Sequence, residues 1–155
     1  MYLDFIDLLE QEGEQIEKLV GDTRMRLQAA NYTAAKSLYR QLSRRLHRYL
    51  TIERETVLPV LDMDQILEGR DTLKRLEQEH QRLEQVLLSL DVGMSAAQPD
   101  IGAMKPHLSS LTHLLDEYRV WESQVLFNQW RSAAAFNFTV ANDLRRRIGQ
   151  QLEAA

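Results

Sequence analysis

Hydrophobic residues recur every three or four positions in four long segments of this chain, which is the spacing of one face of an α-helix. The first two predicted inward faces consist of Tyr2, Ile6, Leu9, Gly13, Ile16 and Val20, and of Leu38, Leu42, Leu46, Tyr49, Glu53, Val57 and Val60. The other two consist of Leu73, Leu76, His80, Leu83, Leu87 and Leu90, and of Leu108, Leu111, Leu115, Tyr118, Glu122 and Val125. Four amphipathic helices are therefore predicted.

Each of these faces is interrupted at one place by residues that are unusual in a core. Glu53 and Glu122 stand where the helical period requires an apolar side chain, so we expect both carboxyls to be buried. A buried carboxylate is costly unless it is paired, hydrogen-bonded or bound to a metal. The other interrupting residues are Gly13, Tyr49, His80 and Tyr118. The pattern predicts one polar site inside a helical bundle.

The chain repeats itself. Tyr49 and Glu53 precede Tyr118 and Glu122 by the same 69 residues, which indicates two similar helical hairpins. Short connections between hairpins favour an all-α, up-down-up-down four-helix bundle. We expect a single domain, with the bundle at about residues 3–130 and a C-terminal extension at 131–155. Val140, Leu144, Ile148 and Leu152 predict a short fifth helix in that extension, lying across the bundle or in a homodimer contact.

Local signals place the ends of the first two helices. The first is predicted from about Leu3 to Ala29, with Asn31 as a left-handed stop. Thr33 is the predicted cap of the second helix, which should reach about Val57. A turn is expected at 62–64.

The third helix is predicted to end near Leu90. Gly93 and Pro99 indicate a loop over residues 91–100. Asp100 is one candidate for the cap of the fourth helix, and Pro106 is the alternative start, because proline suits the first turn of a helix. This helix should reach about Trp130.

Composition narrows the classes of function. The chain has 155 residues, 44% of them hydrophobic, a formal net charge of −4 and no cysteine. Thiolate nucleophiles, disulfides and thiolate-held clusters are therefore excluded. The negative charge argues against nucleic acid or an anionic membrane as the main partner. No apolar stretch has the length of a membrane span and no secretory signal pattern is present, so we expect a cytoplasmic protein.

Four short segments carry a resemblance to a known family. They are Glu12-Gly13, Tyr49-Leu50-Thr51-Ile52-Glu53, Glu79-His80 and Tyr118-Arg119-Val120-Trp121-Glu122. In spacing they resemble the hemerythrin-like (HHE cation-binding) domains, over residues from about 3 to 129. The family carries a His on helix one, His-x-x-x-Glu on helices two and four, and an acidic-His pair on helix three. The resemblance implies two irons bridged by the two carboxylates, with histidines as the outer ligands.

This chain departs from that pattern at three ligand positions. Gly13, Tyr49 and Tyr118 stand where the family has histidines. His47, His107 and His113 fall off the inward faces, and we interpret them as surface or flanking residues. We expect a phenol ring from Tyr49 or Tyr118 to fill the space facing Gly13, with its hydroxyl donating to Glu53 or Glu122.

Three hypotheses about function remain open. The first is a metal-free binding or regulatory module with a protein partner. The second is an iron protein, mono- or dinuclear, that senses oxygen, redox state or nitric oxide. Its predicted metal ligands are Glu53, His80, Glu122, Tyr49 and Tyr118. The third, a carboxylate-dependent oxidase, is disfavoured because the sequence offers no nucleophile with a base, no phosphate loop and no dinucleotide fingerprint.

Overall fold

The computed structural model describes residues 4–61, 63, 66, 68–135 and 137–154, and in this part of the chain all regular structure is helical. The helices are α1 (Phe5–Gln28), α2 (Tyr32–Thr51), α3 (Gly69–Met94), α4 (Ile101–Trp121), α5 (Phe127–Ala134) and α6 (Phe138–Glu153). A π-helical turn at Ile52–Val57 continues α2, and a second at Glu122–Leu126 joins α4 to α5.

The predicted bundle is confirmed. Helices α1 and α2 form one antiparallel hairpin and α3 and α4 the other, while α1 also packs on α4 and α2 on α3. The leucines of the predicted inward faces meet in one core, where Leu9, Leu42, Leu76 and Leu111 are fully buried. Each such side chain contributes roughly 1.5–3 kcal/mol by leaving water, so the apolar positions on either side of the polar residues hold the bundle together.

The connection between α1 and α2 corrects two predictions. Ala30, not Asn31, takes the left-handed conformation, with φ 55°. Asn31 instead caps α2, because its side-chain oxygen accepts from the Ala34 amide at 3.2 Å. Thr33 therefore lies inside the first turn of α2. An amide side chain suits either role, and in the three-residue connection 29–31 Asn31 takes the second.

The connection between α3 and α4 is shorter than predicted. Helix α3 continues past Leu90 to Met94, so the expected loop over 91–100 is reduced to 95–100. Gly93 lies inside α3. A Cβ at this position would collide with the Met104 side chain of α4. The glycine therefore serves a close approach between helices and not a turn. Of the two candidate starts, Asp100 caps α4, accepting from the Ala103 amide at 3.2 Å.

Some predictions fall on residues outside the described part. These are Tyr2, Leu3, and Asp62 and Asp64 of the predicted turn. Among the described residues, no helix is both long and apolar enough to span a membrane.

The C-terminal helix packs against the bundle, one of its two predicted placements. Leu144 and Ile148 are fully buried, and α6 lies against α1 and against the π-helical turn that follows α2. Arg48 of α2 donates to the Ala154 carbonyl at 2.7 Å. The last helix thus covers the end of α2 from which Glu53 projects.

Candidate functional site

Both buried carboxyls lie on π-helical turns. The Glu53 carbonyl accepts from the Leu58 amide at 3.1 Å, and the Glu122 carbonyl accepts from the Phe127 amide, five residues on in each case. Such turns insert one residue into an α-helix and recur at functional sites. The insertion moves the inward face: after Glu122 the fully buried residues are Leu126 and Phe127, and the predicted Val125 is only half-buried.

The two tyrosines reach across the bundle to the opposite carboxyls. Tyr49 of the first hairpin donates its hydroxyl to Glu122 Oε2 at 2.6 Å. Tyr118 of the second hairpin donates to Glu53 Oε1 at 2.5 Å. All four side chains are at most 2% exposed. The predicted phenol-to-carboxyl hydrogen bonds are therefore present, and each one links the two hairpins.

His80 completes one of these pairs. Its Nε2 lies 3.1 Å from Glu53 Oε1 and 3.0 Å from the Tyr118 hydroxyl oxygen. Since that hydroxyl already donates to Glu53, we assign the Nε2–H tautomer, in which the ring donates as well. Its Nδ1 is buried without a hydrogen-bond partner. Burial, and then the positive charge of Arg54, lowers the pKa of His80 to about 4, so the ring is neutral near pH 7.

The two carboxyls influence each other. Burial raises the pKa of both, and the Glu53 carboxyl raises that of Glu122 further. A hydrogen bond with Glu122 acts on Glu53 in the opposite direction, lowering its pKa. Glu53 Oε2 and Glu122 Oε1 are buried, and no hydrogen-bond donor of the described residues reaches either oxygen. One proton held between these two oxygens would satisfy both, as in carboxyl pairs that cannot both ionise.

The space facing Gly13 is not filled as predicted. The atoms nearest to a Cβ built on Gly13 belong to Arg119, with Nε at 2.7 Å, and not to a phenol. The guanidinium also pairs with Glu17 at 2.8 Å and donates to the Glu10 carbonyl at 3.3 Å. The phenols donate to the carboxyls at the bundle centre. The long side chain of Arg119 can instead pass between α1 and α4 and keep its charge near water.

Sequence reasoning missed Arg119, although a signal was present. It follows Tyr118 directly and is therefore turned about 100° from the inward face, toward a neighbouring helix. A glycine in mid-helix costs about 1 kcal/mol relative to alanine and indicates a close neighbour. Together the two positions could have suggested the contact.

Glu12, the residue before Gly13, is held in ion pairs with α2. Glu12 is 6% exposed and accepts from Arg45 Nε and Nη2, both at 2.8 Å, with Arg48 at 3.4 Å. This bidentate pair between Glu12 and Arg45 links α1 to α2, and bidentate arginine–carboxylate pairs are stronger than those with a single hydrogen bond.

The family model for the hemerythrin HHE cation-binding domain matches residues 4–130. The chain belongs to this family. No curated protein and no solved structure gives a significant match. The matched range covers the two hairpins and both π-helical turns and ends before α6.

The remaining histidines do not rebuild an HHE ligand set. His47 and His113 are exposed and His107 is half-buried, as the sequence predicted. His113 is within 3.1 Å of Glu117 on the outer face of α4. Among the residues that the structure describes, no group of three or more His, Asp and Glu side chains is arranged to hold a metal ion.

Proposed function

We propose that this HHE-family bundle holds a hydrogen-bonded Tyr-Glu-His network where its relatives hold two irons, and that it acts as a non-enzymatic binding or regulatory module for a protein partner. One observation carries the proposal. The guanidinium of Arg119 lies against Gly13, where the family has a histidine ligand. A fixed cation in that place opposes a second cation beside it.

The remaining donor groups also fit protons better than metal ions. Burial is the main factor that raises the pKa of Tyr49 and Tyr118 well above the ordinary value, which opposes phenolate formation. Both phenols direct their protons at carboxyls whose own pKa values are raised. Two irons would have to displace protons from most of this network and would find one histidine. The family's diiron complement does not fit these residues.

Access to the network supports a non-enzymatic role. Tyr49, Glu53, His80, Tyr118 and Glu122 are each at most 2% exposed. A substrate could meet them only after the bundle had opened. The functional contacts of such a module therefore belong to its surface, and the core fixes how the two hairpins pair.

Rebuilding the family ligand set tests this proposal. The variant combines Gly13→His, Tyr49→His, Tyr118→His and Arg119→Leu. Calorimetric titration with ferrous iron under anaerobic conditions should show no stoichiometric binding by the wild-type chain and up to two irons in the variant. Circular dichroism of the variant is the control for its helical content. Stoichiometric iron binding by the wild-type chain would overturn the proposal.

A second function, an iron centre for oxygen, redox or nitric oxide sensing, is favoured by one observation. Glu53 Oε2 and Glu122 Oε1 are buried without an ordinary partner, and both could ligate a cation. His80 and the phenolates of Tyr49 and Tyr118 would complete a mono- or dinuclear site. A broad visible band from phenolate-to-iron charge transfer would distinguish this function from the metal-free one.

A further inference from the structure

A cavity of about 490 Å³ lies between α1 and α4, at the end of the bundle where the short connections 29–31 and 95–100 are found. It is formed by the last turns of α1, from Arg24 to Gln28, and by the first half of α4, from Ile101 to Ser109. Gly13 is about a dozen residues away along α1, roughly 17 Å at the rise of an α-helix. The cavity is therefore separate from the buried network.

The buried side chains that line this cavity are apolar, and polar side chains share the rest of its wall. Leu27 and Leu108 are buried in the core and form part of its lining, and Ile101 is half-buried beside them. Met25, which is 65% exposed, stands at the rim. An exposed, flexible thioether next to an apolar recess is typical of a surface that adapts to an apolar ligand.

The charges at this cavity have one sign. Arg24 comes from α1 and Lys105 from α4, and no carboxylate lines the cavity with them. Neither cation has an ion-pair partner within the described part of the chain. Two cations that border one recess repel each other, and an anion placed between them would relieve this. The formal net charge of the whole chain is −4, so the local positive charge runs against the average.

We propose that this cavity binds a single-chain amphiphile, with an anionic headgroup between Arg24 and Lys105 and an apolar tail against Leu27 and Leu108. A medium-chain alkyl carboxylate has this chemistry. The volume lies within the range of small-molecule sites, roughly 300–1,000 Å³, which are typically apolar with a few orienting polar groups. The proposal does not depend on whether the core holds a metal.

Titration of the full chain with decanoate below its micelle concentration tests this site, followed by two-dimensional amide NMR. Saturable one-to-one shifts are expected in 24–28 and 101–109. Decyltrimethylammonium has the same tail and the opposite charge, and it should bind at least about tenfold more weakly.

Charge variants locate the headgroup. Arg24→Gln with Lys105→Gln should weaken decanoate binding about tenfold, which is about threefold for each exposed charge pair. The matched pair Arg44→Gln with Lys74→Gln removes the same charge from exposed positions away from the cavity and should leave binding unchanged. All four side chains are on the surface, so the variants should fold.

Three results would overturn the proposal. The first is the absence of saturable decanoate binding. The second is a set of shifts elsewhere on the bundle, and the third is equal binding of the anionic and cationic amphiphiles or of the two double variants. None of these results bears on the metal content of the core.

Discussion

The buried network has two halves, one around Glu53 and one around Glu122, and different residues satisfy the two buried carboxyls. In one half, Glu53 accepts from Tyr118 at 2.5 Å and lies 3.1 Å from the ring of His80. In the other, Glu122 accepts from Tyr49 at 2.6 Å, and no histidine accompanies it. Gly13 occupies the position in the first hairpin that His80 occupies in the second, and Arg119 packs against it. The repeat is therefore symmetric in its phenols and carboxyls and asymmetric in the third member.

That asymmetry gives the two carboxyls different protonation. Burial raises the pKa of Glu53 to about 7, and the hydrogen bonds with Glu122 and Tyr118 act in the opposite direction and favour its ionised form. Glu122 has one phenol, and both burial and the nearby Glu53 charge raise its pKa. We therefore expect Glu122 to hold the shared proton.

Removing the phenol hydroxyls should give the largest effect. Tyr118→Phe leaves Glu53 and His80 without their common partner, so we expect it to lower the free energy of unfolding by about 2–3 kcal/mol. Tyr49→Phe affects one carboxyl and should cost about 1–2 kcal/mol. Urea denaturation measures both, with Tyr32→Phe on the half-buried end of α2 as the control. Negligible and equal losses at both positions would refute the network.

The second prediction concerns pH. The pKa of Glu122 is raised in the folded chain, so above pH 4.5, its ordinary pKa, the folded chain binds more protons than the unfolded chain. Glu122 therefore lowers the free energy of unfolding as the pH rises. His80 acts oppositely, because its lowered pKa costs stability as the pH falls from 6.5 to about 4. Glu53, whose pKa is raised by burial to about 7, acts in the same direction as Glu122 up to that pH. Above pH 7 the effect of Glu122 continues.

Wild-type stability should therefore fall above pH 7 by up to about 1.4 kcal/mol per pH unit, the effect of one proton. The Glu122→Gln variant should give a flatter curve over the same range. Urea denaturation at half-unit steps from pH 5 to 8.5 provides the measurement. Parallel curves for the two chains would rule out the shared proton.

The third prediction compares the two carboxyls directly. Glutamine resembles a protonated carboxyl, so Glu122→Gln should cost less than about 1 kcal/mol. Glu53→Gln replaces the more ionised member and should cost about 1–2 kcal/mol. Thermal and urea unfolding at pH 7 rank the two variants. The reverse ranking would move the proton to Glu53.

The smallest effect is expected at Gly13. Alanine there should gain up to about 1 kcal/mol of helix propensity, but its methyl group meets Arg119 in the wild-type chain. Gly13→Ala should therefore be near neutral alone and stabilising in an Arg119→Ala background. The double-mutant cycle should give a coupling of about 0.5–1 kcal/mol. Full additivity would mean that the two residues do not interact.

The sequence carries most of the fold because its apolar periodicity is regular. Leu42, Leu76 and Leu111 are on the faces that the spacing predicts. The same spacing predicts that Glu53 and Glu122 are buried. The 69-residue repeat puts Tyr49 and Tyr118 at equivalent places in the two hairpins, but the sequence leaves open which carboxyl each phenol meets.

What the sequence could not supply depends on contacts between helices. The π-helical turns leave no mark in residue spacing, so the spacing predicts Val125 in the core, whereas the structure buries Leu126. Gly93 reads as a turn residue until Met104 is placed against it. Arg119 is unremarkable until α1 is positioned beside α4. In each case a long-range neighbour overrides the local signal.

We expect protons, and not iron, to occupy the polar core of the bundle. Elemental analysis with a visible spectrum tests it most directly, on protein expressed with added iron and purified without chelator or metal-affinity resin. We expect well under one iron per chain and no absorption band in the visible range. One or two irons per chain, with a band that Tyr49→Phe or Tyr118→Phe shifts, would contradict it.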